Sequence, residues 1–166
     1  MKYKKLPDTD LEVSMICLGT MTYGEQNNEK EAHEQLDYST CNGVNFIDTA
    51  EMYAIPPREE TQGKTEEIIG SWLSKRNDRD KIILATKVAG PGMEYLRGGS
   101  RLSKKQILQA VNDSLKRLRT DYIDLYQVHW PERKSNFFGS LGYECSNEMG
   151  VSLQDTLEAM SSLVKS

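Results

Sequence analysis

The chain has 166 residues, of which 37% are hydrophobic and 28% are charged, so it is neither disordered nor fibrous and can form one domain over residues 1–166. This length excludes a complete (β/α)₈ barrel, which needs about 250 residues. The net charge of −4 gives no basic field for a phosphate backbone, so we expect no nucleic acid partner and no membrane partner.

The first predicted elements are a hairpin and a strand. Pro7-Asp8-Thr9-Asp10 is a turn signal between two short extended segments, 3–6 and 11–14, and predicts a small β-hairpin. An apolar run over 15–18 that ends at Gly19 predicts the first strand of an alternating α/β pattern.

The pattern continues with two helices and a second strand. Asn28 with Glu31 predicts a capping box for a helix that runs from about residue 29 to the stop signal Asn42-Gly43. A second strand is predicted over 45–47, and the apolar positions 69, 72 and 73 have the spacing of a second helix.

Two further strand–helix units are predicted in the second half. A β-rich run over 82–86 is followed by Ser103 and Gln106, which predict a capping box ahead of an amphipathic helix over 107–118. A fourth strand is predicted over 122–128, and Ser152 is the predicted cap of a last helix. The inward-facing residues of that helix are predicted to be Leu157, Met160, Leu163 and Val164.

This alternation predicts an α/β fold with parallel strands and right-handed crossovers, either as a doubly wound sheet or as a barrel. Four such units are half of an eightfold barrel. The acidic positions 8, 10 and 12 interrupt any N-terminal apolar stretch, and no apolar run approaches the roughly 18 residues that span a bilayer. Together with three widely spaced cysteines, Cys17, Cys41 and Cys145, this predicts a cytoplasmic protein without a metal site or a disulfide.

In either α/β architecture the functional residues follow the carboxyl ends of the strands. The residues at those positions suit the reduction of a carbonyl, which accepts a hydride at carbon and a proton at oxygen. Tyr53 is the candidate acid, and we expect Lys87 to lower the pKa of its phenol. We expect Asp48 to hold Lys87 in place and His129 to donate a hydrogen bond to the substrate oxygen or to share the proton relay.

A purely structural interpretation of the same residues remains open. Asp48 and Lys87 also suit a structural ion pair, Tyr53 a rim aromatic, and His129 a core histidine, although their joint placement at consecutive strand ends favours a functional role. Other loop residues carry weaker predictions: the side chains of Arg97, Arg101 and Arg133 are expected to be solvated.

Four motifs resemble the aldo-keto reductase family: GTMTYG over 19–24, DTAEMY over 48–53, Lys87 after a β-rich run, and DYIDLYQVHW over 121–130. The run PPREETQGKTE over 56–66 is similar to the Tas-like bacterial branch of that family. The resemblance implies the first half of a TIM barrel, capped by the hairpin, and NADPH-dependent reduction of aldehydes and ketones. It also implies a catalytic tetrad of Asp48, Tyr53, Lys87 and His129.

The resemblance also sets expectations for binding. Gly19, Thr20, Met21 and Asp48 are the expected cofactor contacts. Trp130 is expected either to form the wall of a pocket for a small carbonyl substrate or to fill the mouth of the barrel. In the family, the other barrel half makes most contacts to the cofactor, and this sequence has no Gly-x-Gly-x-x-Gly loop. We therefore expect residues 1–166 alone to bind NADPH weakly or not at all.

Two hypotheses about function remain open. The intact tetrad favours a reductase, whereas the end of the sequence at residue 166 favours a truncated, inactive half-barrel or a non-catalytic regulatory module on the same fold. A half-barrel would leave strand edges and the inner sheet face uncovered, and such edges pair readily with another chain. Self-association through these edges is therefore expected of residues 1–166.

Overall fold

The computed structural model describes residues 1–133, 142 and 150–165. Six strands and four α-helices lie within these residues, in the order β1 Tyr3–Lys5, β2 Glu12–Ser14, β3 Cys17–Gly19, α1 Glu29–Cys41, β4 Phe46–Asp48, α2 Lys64–Leu73, β5 Ile83–Val88, α3 Lys104–Leu118, β6 Leu125–Val128 and α4 Leu153–Val164. The alternation predicted from the sequence is thus confirmed, whereas the predicted free thiol at Cys145 lies outside the described residues.

Strands β3 to β6 form one parallel sheet in the order β3-β4-β5-β6. In its register Gly19 lies opposite Asp48, Asp48 opposite Ala85, and Ala85 opposite Leu125. Each strand pairs with the next one along the chain, as consecutive βα units do in a barrel wall. This register brings the carboxyl ends of all four strands to one edge of the sheet.

The predicted hairpin forms as a separate two-stranded antiparallel sheet, with Tyr3 opposite Ser14. It is attached to the amino-terminal end of β4 by the Asn45 side chain, which accepts a 2.7 Å bond from the Ser14 amide and donates a 2.9 Å bond to the Glu12 carbonyl. The hairpin therefore covers the end of the sheet that lies away from Asp48 and Lys87.

One face of the sheet packs against the helices. Side chains alternate along a strand, so the outward positions of β4 and β5, such as Ile47 and Leu84, pack against α1 and α2. Farther along the sheet, Val88 and Tyr126 pack with α3 and α4. The alternate positions of these strands, including Asp48 and Lys87, point to the opposite face of the sheet.

Helices α2 and α3 approach each other closely over a buried charge network. A Cβ at Gly70 would lie 2.1 Å from the Arg117 carbonyl oxygen, so only glycine fits there. Glu66, fully buried, accepts a 2.8 Å bond from Nε of Arg117 and a 2.6 Å bond from the Thr86 hydroxyl. This ion pair lies between the sheet and the helices.

The helix caps follow the sequence prediction with one exception. Asn28 and Glu31 form the full reciprocal capping box of α1, and Ser152 caps α4. Ser103 caps α3 by accepting the Gln106 amide, but the Gln106 side chain accepts the Arg101 amide at 2.7 Å instead of completing the box. The same side chain donates a 3.0 Å bond to the Gly99 carbonyl, so it binds the loop that precedes α3.

The predicted inward face of α4 is wrong in half of its members. Leu157 and Val164 are 57% and 90% exposed, whereas Thr156 and Ala159 are buried and Met160 and Leu163 are partly buried against α3. The buried face is thus displaced by one position, and on it the Thr156 hydroxyl bonds the Leu102 carbonyl while Ala159 packs in the core. No helix among the described residues is long and apolar enough to cross a membrane.

Candidate active site

An ion pair occupies the centre of the rim formed by the strand ends. The Lys87 Nζ atom lies 2.5 Å from Oδ2 of Asp48 and 2.7 Å from the Thr49 carbonyl oxygen. The other carboxylate oxygen, Oδ1, accepts a 3.3 Å bond from the Gln127 side chain. Asp48 therefore holds Lys87 in place, as the sequence predicted, and three adjacent strands are joined through their inner-face side chains.

Tyr53 lies beside this pair. The Lys87 Nζ atom is 5.2 Å from the centroid of the Tyr53 ring, and the His129 ring meets the Tyr53 ring edge to face at 5.6 Å between centroids. The Tyr53 backbone amide bonds the Ala50 carbonyl, so a tight turn after β4 carries the ring into position. The structure thus brings together the four residues of the predicted tetrad, Asp48, Tyr53, Lys87 and His129.

The expected direction of the Tyr53 pKa shift is wrong. Burial, and secondarily the Asp48 carboxylate, raise the pKa of Tyr53 above its ordinary value. Lys87 directs its ammonium at the oxygens of Asp48 and Thr49, so its attraction for the Tyr53 phenolate does not outweigh the effect of burial. The Tyr53 hydroxyl is consequently protonated at neutral pH.

His129 is held neutral in the same site. Burial, followed by repulsion from the Lys87 ammonium, lowers the pKa of His129 to about 4, against a smaller opposing effect of Asp48. Its backbone amide bonds the Val88 carbonyl at 3.0 Å and continues the ladder between β5 and β6. A neutral imidazole keeps one N–H donor and one acceptor nitrogen at neutral pH.

A cavity of about 580 Å³ opens beside Tyr53 and His129. Apart from these two residues, its described walls are mostly apolar, with three methionines. They include Met21, Met52, Ile55, Pro91, Met93 and Trp130. Methionine side chains adapt to irregular shapes, so these walls suit apolar molecules of different outlines.

Trp130 forms a fixed part of this cavity wall. It is 6% exposed, and its indole N–H donates a 3.0 Å bond to the Pro91 carbonyl. A Cβ at Gly90 would lie 2.5 Å from the indole ring, so glycine there allows the ring to pack against the loop. Trp130 thus lines the cavity beside Tyr53 and His129.

The three residues after β3 take different positions. A Cβ built on Gly19 meets no atom within 4 Å, so open space lies next to Asp48. Met21 is half exposed at the cavity, whereas Thr20 is fully buried and its hydroxyl donates a 2.8 Å bond to the Asp48 carbonyl. Gly19 and Met21 therefore have room for a ligand, and the Thr20 side chain holds β3 to β4.

Comparison with known proteins agrees with this arrangement. The sequence model described as the Aldo/keto reductase family matches residues 15–166. The chain belongs to the aldo-keto reductase family. The similarity predicted from the GTMTYG and DTAEMY motifs is thereby confirmed.

Individual aldo-keto reductases and relatives cover nearly the whole chain. Protein tas of Escherichia coli K12 is 54% identical over 164 residues, which are 96% of this chain and 47% of that protein. Aldo-keto reductase YhdN of Bacillus subtilis 168 is 39% identical over 138 residues, 80% of this chain and 39% of YhdN. The solved holo form of aldo-keto reductase AKR11C1 from Bacillus halodurans superposes with a TM-score of 0.75 and 34% identity, covering 99% of this chain and 47% of that one.

The identities and the TM-score show that the chain has part of the aldo-keto reductase fold. It spans about half the length of the relatives it matches, and its four-stranded parallel sheet is part of an α/β barrel. The predictions of the Tas-like branch and of the partial TIM barrel are therefore confirmed.

Sequence reasoning missed two residues at or next to the candidate site and misjudged a third. Gln127, which bonds Asp48, lies two positions before His129 and so faces the same side of β6; strand alternation was the signal for it. Glu51, only 1% exposed, accepts two hydrogen bonds from Arg97. The expectation that Arg97 is solvated is wrong: its side chain is 7% exposed because Glu51 draws it inward.

Proposed function

We propose that this protein reduces the carbonyl group of aldehydes and ketones to an alcohol, with NADPH as the hydride source and Tyr53 as the proton donor. The observation that carries the proposal is the position of Tyr53 in the wall of an apolar cavity, between the neutral His129 ring and the Lys87–Asp48 pair. Membership of the aldo-keto reductase family supports the same reaction class.

The residues after β3 and β4 fit the cofactor at the reaction centre. The open space over Gly19 admits a flat ring next to the strand ends, and Met21 and Asp48 border it. When bound, NADPH supplies the hydride. The described residues contain no glycine-rich phosphate loop, so we assign to this chain the nicotinamide end only, with Gly19, Thr20, Met21 and Asp48 on that side.

The proton chemistry follows from the charges around Tyr53. The phenol is protonated at neutral pH because burial and Asp48 raise its pKa. It passes its proton to the carbonyl oxygen as the carbonyl carbon receives the hydride, and the phenolate that remains is stabilised by Lys87, 5.2 Å from the ring centroid. The neutral His129 ring, which also borders the cavity, orients the substrate oxygen by a hydrogen bond.

The cavity walls favour small apolar carbonyl compounds. Trp130, Met52 and Met93 offer apolar contact area, and the polar groups of the described walls include those of Tyr53 and His129. A charged substrate would lose its hydration without gaining a partner, which costs several kcal/mol in an apolar site. Two exposed free thiols, Cys17 and Cys41, agree with a cytoplasmic, reducing location.

The test is an assay of the protein with NADPH and a panel of uncharged aldehydes and ketones, monitored by consumption of NADPH and by detection of the alcohol. Turnover that requires both cofactor and carbonyl supports the proposal. Cofactor binding without turnover for any carbonyl would instead favour a non-catalytic module on the same fold, and neither binding nor turnover would favour an inactive half-barrel.

A further inference from the structure

A bidentate ion pair lies directly behind the cavity wall. Arg97 donates from Nη1 to Oε2 of Glu51 at 2.6 Å and from Nη2 to Oε1 at 2.9 Å. The two side chains are 7% and 1% exposed, and neither belongs to the described lining of the cavity. An ion pair this buried must offset the loss of hydration, so its geometry is demanding and its placement specific.

Glu51 is fixed to the end of β5 at both its backbone and its side chain. Its amide donates to the Lys87 carbonyl at 3.2 Å, and Oε1 accepts the Ala89 amide at 2.7 Å. The Gln62 side chain donates to the Glu51 carbonyl at 2.6 Å. These bonds hold Glu51 in place between Asp48, the last residue of β4, and Tyr53, in the loop that follows.

Arg97 belongs to the segment 89–102, which forms one side of the cavity. This segment is closed on itself by Ser100, whose hydroxyl donates to the Gly90 carbonyl at 2.6 Å and accepts the Met93 amide at 3.0 Å. Pro91 and Met93 then reach the cavity wall. The Arg97 guanidinium is the side-chain link from this closed segment to Glu51.

The Arg97 backbone is held in an unfavourable conformation. Its φ of 55° lies in the left-handed region, which non-glycine residues seldom adopt, and the two glycines that follow are also left-handed. Such strain persists where the surroundings fix it and is concentrated at functional sites. Here it directs the side chain of Arg97 inward toward Glu51.

We propose that the Glu51–Arg97 pair is a positioning device that holds the 89–102 segment against Tyr53 and Trp130 and thereby sets the width of the substrate cavity. Leu96, next to Arg97, packs in the same cluster as Tyr53 and Trp130. The position of the Glu51–Arg97 pair therefore affects the position of the cavity wall. The kinetic part of this inference rests on the proposed function of the cavity; the positioning part does not.

The first test needs no activity. The chain has two tryptophans, so Trp72→Phe leaves Trp130 as the only reporter, with its N–H on the Pro91 carbonyl. In that background Arg97→Met should at least double the acrylamide quenching of Trp130, because the segment it contacts moves away. Arg117→Met is the matched control: it breaks the buried Glu66 pair away from the cavity and should leave the quenching unchanged.

The second test uses the reaction. Arg97→Met should raise KM for 4-nitrobenzaldehyde about tenfold while kcat falls less than about threefold, and KM for the small propanal should stay within about twofold. Arg97→Lys, which keeps the charge but not the bidentate geometry, should give an intermediate KM. Arg117→Met should leave both KM values unchanged.

A variant that avoids an uncompensated buried charge guards against misfolding. Glu51→Gln with Arg97→Met removes both charges and keeps the acceptor for Ala89, so it is expected to fold and to show the same increase in Trp130 quenching. Unchanged quenching in both folded Arg97 variants would overturn the proposal. Increased quenching in a protein without carbonyl turnover would contradict the proposed function and leave the positioning role supported.

Discussion

Lys87 and Asp48 form a 2.5 Å contact at the ends of adjacent strands, and the same ammonium lies 5.2 Å from the centre of the Tyr53 ring. Both side chains are partly open to the cavity side of the sheet, at 14% and 27% exposure. A purely structural pair would not need to border a phenol and a cavity. This arrangement connects the ion pair to the proposed proton transfer from Tyr53.

Removing the cation should therefore affect activity more than stability. Lys87→Met is expected to lower kcat/KM about 10²-fold or more, because the phenolate left after proton transfer loses its stabilising charge. The free energy of unfolding should fall by about 1–2 kcal/mol, since the pair is only partly buried. Lys116→Met, which breaks an exposed pair with Asp113, is the control, and both quantities should stay near wild type. Full activity in Lys87→Met would remove Lys87 from the mechanism.

Gly19→Ala tests the assigned cofactor side. Its Cβ meets no atom within 4 Å, so urea denaturation should give a stability within about 0.5 kcal/mol of wild type. The added methyl group occupies the space over the strand end, so the Kd for NADPH should rise about tenfold, or about 1.4 kcal/mol. Unchanged NADPH affinity would show that the cofactor does not approach Gly19.

Gly90→Ala provides the converse control for a glycine replacement. A Cβ there would lie 2.5 Å from the Trp130 ring, and overpacking of this kind costs about 1–3 kcal/mol. Loss of stability in Gly90→Ala but not in Gly19→Ala would confirm that the two glycines are needed for different reasons.

His129 should make the protein sensitive to acid. In the unfolded chain His129 titrates near its ordinary pKa of 6.5, whereas burial lowers the pKa of the folded residue to about 4. Between these values the unfolded state binds more protons, so stability is present above pH 6.5 and is lost as the pH falls toward 4. Urea denaturation across this range should show a flatter pH dependence for His129→Gln. An equally steep decline in that variant would mean that other groups cause it.

Open sheet edges make self-association of residues 1–166 the expected behaviour. Within the described residues, β3 and β6 each pair on one side only, and α4 exposes Leu153, Leu157 and Val164. Exposed backbone edges and apolar surface promote association. Light scattering coupled to size exclusion should show species larger than a monomer that shrink on tenfold dilution. A sharp monomer peak at every concentration would contradict this expectation.

Periodicity and turn signals predicted most of the fold, because each helix and strand follows from local spacing. The direction of the α4 face did not follow, since it depends on tertiary contacts such as the Thr156 bond to the Leu102 carbonyl and the packing of Ala159. The tetrad was predictable because strand ends converge on one rim. The direction of the Tyr53 pKa shift was not, because it depends mainly on how deeply the fold buries the phenol and then on the nearby Asp48 carboxylate.

The position of Arg97 also lay beyond the sequence. Arginine in a glycine-rich loop is usually solvated, and only the fold reveals that Glu51, within the DTAEMY run, lies in reach as a buried partner. A carboxylate between two buried apolar residues, Ala50 and Met52, was the available signal.

The Tyr53 hydroxyl is the proposed proton donor, and the decisive measurement is the kcat/KM of Tyr53→Phe for an uncharged aldehyde. The substitution removes one oxygen and keeps the ring between Lys87 and His129. We predict a loss of about 10²- to 10⁴-fold with NADPH affinity unchanged, while Tyr38→Phe, which alters an exposed tyrosine on α1, retains wild-type activity. Wild-type kcat/KM in Tyr53→Phe would show that the Tyr53 hydroxyl does not donate the proton.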